Sequence, residues 1–127
     1  MPNRHILIAD DVDTEKIGRI RSALDRDPRA VIHVARSAAE ALGFIERYGE
    51  QIEAAAIDYD FIGECDTGAN IIGALRQVNT RARIALVTAR DGASYEEAAS
   101  HASAMGANAT FTSTESFEGE LGATLSA

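Results

Sequence analysis

The chain has 127 residues, 46% hydrophobic and 25% charged, enough for one folded domain with its own core and too little for two. Its formal net charge of −8 argues against a nucleic-acid backbone or an anionic membrane as the main partner. A single cysteine, Cys65, excludes an intrachain disulfide and fits a reducing cytoplasm, and no apolar stretch approaches the roughly 20 residues of a membrane span.

The opening MPNRHILIADD runs from two basic residues into only four apolar ones, too short for a signal peptide. His5–Ala9 (HILIA) reads as a first strand ending at Asp10–Asp11. Asp13 or Thr14 caps the helix that follows, with Ile17, Ile20 and Leu24 on one face. Ala30–Ala35 (AVIHVA) is a second strand. Ser37, with Glu40 three residues on, forms a capping-box pattern, and Ala38, Ala41, Leu42 and Ile45 line a second helix ending near Gly49.

Ile52–Asp58 (IEAAAID) is too continuously apolar for a strand with one wet face. It reads as a central strand of a parallel sheet, buried on both sides. Asp60–Gly68 is a loop, and Asn70–Val78 a third helix with Ile71, Leu75 and Val78 inward. Arg83–Thr88 (RIALVT) is a fourth strand. Ala93–Met105 is an Ala-rich fourth helix closed by Gly106 at C′. Ala109–Thr112 (ATFT) is a short fifth strand. Ser116 to the terminus forms a last helix carrying Phe117, Leu121 and Leu125, weakened by Gly119 and Gly122. Five strand–helix alternations predict a three-layer, doubly wound α/β domain with a parallel five-stranded sheet.

In a sheet of order 2-1-3-4-5 the first and third strands are neighbours, and ligands bind at the carboxyl ends of the strands where the winding reverses. Asp10, Asp11 and Asp58 then converge. Three carboxylates that close either share protons or hold a hard cation between them. Oxygen-only ligands suit Mg²⁺ or Mn²⁺ better than zinc.

Read together, ILIADD, AAAIDYD, ALVTAR and GANATFT make the chain resemble the receiver domain of bacterial two-component response regulators. That family typically has a GADDYLTKP-like stretch where GANATFT stands here. The resemblance covers nearly the whole chain and implies a single receiver-like domain over 1–127 with the flavodoxin-like fold. It implies that Asp58 is the phosphoacceptor, that Asp11 ligates Mg²⁺ directly and Asp10 mostly through water, and that the backbone carbonyl of Asp60 completes the protein ligands. The Thr88 hydroxyl and the Ala89 amide would face the phosphoryl group. The implied function is that of a signalling phosphoacceptor rather than an enzyme, though one able to catalyse its own phosphorylation and dephosphorylation. Its partners would be a histidine kinase or phosphotransfer protein upstream and a downstream protein, with no direct contact to nucleic acid or membrane.

Two positions depart from the family pattern. The lysine that follows the fifth strand in the family falls on Ser113, and the switch aromatic on Thr110 with Phe111 beside it; the sole lysine is Lys16. The sequence therefore predicts a lysine-less receiver whose carboxylates lack a built-in counter-charge. The alternative function is a pseudo-receiver, an interaction module without phosphorylation. A Mg²⁺ enzyme of the Toprim or haloacid-dehalogenase type is disfavoured, because Toprim domains carry a glutamate after the first strand and the phosphatases carry their motif there and need a later lysine. Arg90 reads as a solvated loop residue or a substitute cation. His33 and His101 have no partner at metal spacing, and Cys65 reads as an inert loop thiol.

Overall fold

A computed structural model describes residues 3–11 and 13–126. The strands are β1 (Arg4–Ala9), β2 (Ala30–Ala35), β3 (Ile52–Ile57), β4 (Arg83–Thr88) and β5 (Ala109–Thr112). The helices are α1 (Thr14–Leu24), α2 (Ala38–Tyr48), α3 (Gly68–Val78), α4 (Gly92–Met105) and α5 (Glu118–Ser126), with one 3-10 turn at Gly49–Gln51. Every pairing is parallel and the order is β2-β1-β3-β4-β5, as the alternation predicts. The last helix starts two residues later than the sequence suggests, and Ala127 lies outside the described residues. None of the described helices is long and apolar enough to cross a membrane.

Side chains that alternate along each strand feed two cores. Ile6 and Ile8 of β1 and Ala54 and Ala56 of β3 face α1 and α5, where they meet Ile17, Ile20, Leu24, Phe117, Leu121 and Leu125. Leu7, Ala9, Ala55 and Ile57 face the other way, against α2, α3 and α4. The alanines of β3 are fully covered on both faces, which explains why that strand shows no polar alternation.

Local signals behave as their chemistry dictates. Asp13 caps α1, its Oδ1 accepting from Lys16 N at 2.9 Å, and Ser37 Oγ caps α2 by accepting from Glu40 N at 2.9 Å. Gly106 ends α4 at φ +112°, in the left-handed region that favours glycine. Val78 departs from expectation. It is 47% exposed, because it closes the last turn of α3 and leans over Gly49 rather than into the sheet. Gly68 is required by contact: a Cβ there would lie 1.8 Å from the Asp58 backbone oxygen. That approach lets α3 begin directly beneath the end of β3, with Gly68 N donating to Tyr59 O at 2.8 Å.

Candidate functional site

The end of β3 is stitched to its neighbour, Asp58 N donating to Ala9 O at 2.8 Å, while Asp10 N donates to Ala35 O at 3.0 Å. These bonds carry the ladder one residue past the strands and set Asp10 and Asp58 side by side at the switch point. Carboxylate oxygens of Asp10, Asp11 and Asp58 lie within 4.8 Å of one another, as the strand order predicts. Asp10 is 1% and Asp58 9% exposed, so the pair sits at the boundary of the core rather than in solvent. Asp11 is half-buried, and its Oδ2 accepts from Ile62 N at 2.8 Å, tying the 58–68 loop over the cluster.

The expectation of an uncompensated cluster is corrected by Lys16. This residue is 2% exposed, and its Nζ lies 2.6 Å from Asp10 Oδ2 and 3.1 Å from Asp58 Oδ1. It also donates a hydrogen bond to Val87 O at 3.0 Å. Both buried carboxylates are thereby held in close ion pairs with one ammonium. The Ser113 position carries no ammonium, as the alignment predicts, but the site has one from α1.

Strand alternation sends neighbouring β5 side chains to opposite faces. Thr110 points toward α4, its Oγ1 2.9 Å from the Tyr95 hydroxyl, while Phe111 packs on the α1–α5 side. Ser113 N donates to Thr88 O at 2.7 Å, which keeps residue 113 at the end of β4.

Electrostatics distinguish Asp58 from its neighbours. Burial pushes its carboxyl up from 3.8 to about 6; the Lys16 charge pulls it down and the Asp10 charge raises it further. Its Oδ1 also accepts from Tyr59 N at 2.8 Å. Backbone and ammonium both engage Oδ1, and Oδ2 has no hydrogen-bond donor among the described residues.

Thr88 ends β4 fully buried, its Oγ1 accepting from Arg90 N at 3.2 Å, which leaves the hydroxyl proton to give. Ala89 is exposed, and its amide has no acceptor among the described residues. The Asp60 side chain turns away from the cluster into a two-pronged ion pair with Arg90, at 2.9 and 2.8 Å. Arg90 stacks on Tyr59 at 4.6 Å, so it clamps the loop instead of standing over the carboxylates. Tyr59 OH in turn lies 3.0 Å from His101 Nδ1, and His33 Nε2 3.1 Å from His5 Nδ1. Cys65 is exposed in the loop.

The donor set fits a hard divalent cation. Asp10, Asp11 and Asp58 bring carboxylate oxygens together, and all the converging ligands are oxygens. Three carboxylates against one ammonium leave two negative charges, the charge such an ion would balance.

No protein-family model matches this sequence, and no curated protein does. Solved structures do. A response regulator receiver domain protein from Clostridium thermocellum superposes with a TM-score of 0.77 at 18% identity, over 97% of this chain and 91% of that one. A response regulator from Burkholderia pseudomallei, with a phosphorylated aspartic acid, a calcium ion and citrate, gives 0.72 at 22%, over 97% of this chain and 66% of that one. The CheX–CheY–BeF3–Mg²⁺ complex from Borrelia burgdorferi gives 0.72 at 15%, over 91% and 81%. With the same strand order and coverage of nearly the whole chain, this protein has the fold of response-regulator receiver domains.

Proposed function

We propose that this protein is a phosphoacceptor receiver of two-component signalling, with Asp58 as the acceptor. The observation that carries the reading is the Asp58 carboxylate itself. It stands at the switch point of a receiver fold, with Asp10, Asp11 and the Lys16 ammonium around it and Oδ2 free of described donors. A carboxylate is a competent nucleophile toward phosphorus. Asp58 Oδ2 attacks the phosphoryl phosphorus of a phosphohistidine. The new O–P bond forms as the P–N bond breaks, and the electron pair leaves on the imidazole nitrogen, which takes a proton from solvent.

Asp10, Asp11 and Asp58, with the Asp60 backbone carbonyl, would hold Mg²⁺, as the magnesium and calcium of the structural neighbours suggest by analogy. The ion, when bound, neutralises charge on the transferring oxygens. The Thr88 hydroxyl and the Ala89 amide supply donors toward the incoming phosphoryl oxygens. The upstream partner is a histidine kinase or phosphotransfer protein, and the output is a change in protein binding.

Incubation with acetyl phosphate and Mg²⁺, followed by intact mass, tests this. Addition of one phosphoryl group in the wild type and none in Asp58→Asn is the expected result. An unmodified wild type would return the protein to the pseudo-receiver reading.

A further inference from the structure

We infer that Lys16 is the cation that grips the phosphoryl group on Asp58, so that α1 is the element through which phosphorylation is felt. This rests on the receiver reading above. Lys16 is the chain's only lysine, and the position to which the receiver resemblance assigns one, Ser113, is neutral. Other cations nearby are committed. Arg90 is spent on Asp60, and Arg19 on Ser113 O at 3.0 Å, Glu115 O at 3.2 Å and Glu118 Oε1 at 2.5 Å.

The local chain is built to present this side chain. Asp10 Oδ1 accepts from Asp13 N at 3.2 Å, and Asp13 Oδ1 accepts from Lys16 N at 2.9 Å. The first turn of α1 is thereby tied to the same aspartate that the Lys16 ammonium touches. The side chain is buried, and Nζ emerges between Asp10, Asp58 and Val87. An ammonium has three protons to donate. One goes to Val87 O, and the others face the Asp10 and Asp58 carboxylates.

When the Asp58 Oδ2–P bond forms and the donor's bond to phosphorus breaks, three anionic oxygens appear beside that ammonium. The ammonium can donate a charge-assisted hydrogen bond to one of them. Any shift of Lys16 is transmitted along a rigid helix. Arg19, three residues on, lies on a neighbouring face. It grips the loop between β5 and α5 and stacks on Phe117 at 4.4 Å. The loop that would carry a lysine in the resembled family is here held from α1, by the same turn that delivers the ammonium.

The experiment uses the full chain with Mg²⁺, acetyl phosphate for covalent labelling, and beryllofluoride as the phosphoryl mimic. Lys16→Met is expected to cut the labelling rate at least tenfold while retaining a cooperative melt in Mg²⁺. In the wild type, beryllofluoride should slow amide hydrogen exchange in residues 14–20 and 113–118. That second readout needs no variant and decides the matter even where Lys16→Met does not fold. Labelling of Lys16→Met at the wild-type rate would overturn the inference and leave the receiver reading standing. So would protection confined to the loops at 58–68 and 88–92. A wild type that neither labels nor binds beryllofluoride would overturn both.

Discussion

Asp58→Asn should stabilise the metal-free protein, and the size of the effect follows from the Asp58 carboxyl. Its folded-state pKa of about 6 lies above the ordinary 3.8, chiefly because burial disfavours the charged form. The folded state therefore binds the proton more tightly than the unfolded one. Stability from this group is complete below about pH 4 and is lost as pH rises through about 6. At 1.36 kcal/mol per pKa unit, the ionised carboxylate costs the fold about 3 kcal/mol at pH 7, about 1 kcal/mol at pH 4.5 and almost nothing at pH 3. Asparagine copies the shape of the protonated acid without its charge.

In EDTA the variant should melt about 10 °C above the wild type at pH 7, taking about 3–4 °C per kcal/mol for a chain of this size, and the gap should close toward pH 3. Mg²⁺ should narrow the gap at pH 7, since saturating ion at about 100 times its dissociation constant stabilises the wild type by about 2.7 kcal/mol. The assay is thermal melting of both proteins across pH, with EDTA and with graded Mg²⁺. A variant that melts below the wild type at pH 7, or a gap that does not change with pH, would refute the reasoning. Asp58 would then be a hydrogen-bonded structural residue held in its charged form.

Gly68→Ala should lose several kcal/mol, because its Cβ would meet the Asp58 backbone oxygen at 1.8 Å, whereas Gly43→Ala, with nothing within 4 Å, should gain about 0.5–1 kcal/mol; denaturant melts of the two compare them directly. Glu64→Ala should cost about 1 kcal/mol, since the Glu64 carboxylate accepts from Ala38 N and Ala39 N at 2.9 and 3.2 Å and caps α2 from a distant loop; chemical denaturation measures it. His33 should titrate below its ordinary 6.5, because burial and the His5 ring oppose its charge, and His5→Gln should move it back up in an NMR titration. In the Asp58→Asn background, where the carboxylate is silent, His33 should make stability fall as pH drops below 6.5.

The fold was legible because its strongest signals are apolar runs with hard stops. IEAAAI and RIALVT announce strands buried on two faces, and the first runs straight into Asp58, which the sheet order sets beside Asp10 and Asp11. Helix caps at Asp13 and Ser37 were legible because a short side-chain acceptor precedes each apolar stripe. Glu64 was not, since a cap delivered from 26 residues away leaves no local pattern. Val78 was misplaced because helical spacing gives a direction but not where the sheet ends. Lys16 was missed for a different reason. Reading the α1 stripe as Ile17, Ile20 and Leu24 discards the polar letters, yet Lys16 stands four residues before Ile20 on the same side. Its being the only lysine beside eleven arginines was the one available hint.

A buried ammonium might seem to make a divalent ion redundant, but the charges say otherwise. Lys16 can bury its head group only because two carboxylates and a carbonyl meet it; alone, its desolvation would cost several kcal/mol. Asp58 sits above its ordinary pKa, at about 6, chiefly because burial disfavours its charge, with the ammonium pulling it down and Asp10 raising it. One positive charge faces three carboxylates. The deficit is two negative charges among Asp10, Asp11, Asp58 and Lys16, and a divalent ion is of a size and charge to meet it. Under the proposed receiver reading, Lys16 would fix the geometry of Asp58 and a divalent ion would complete the charge balance.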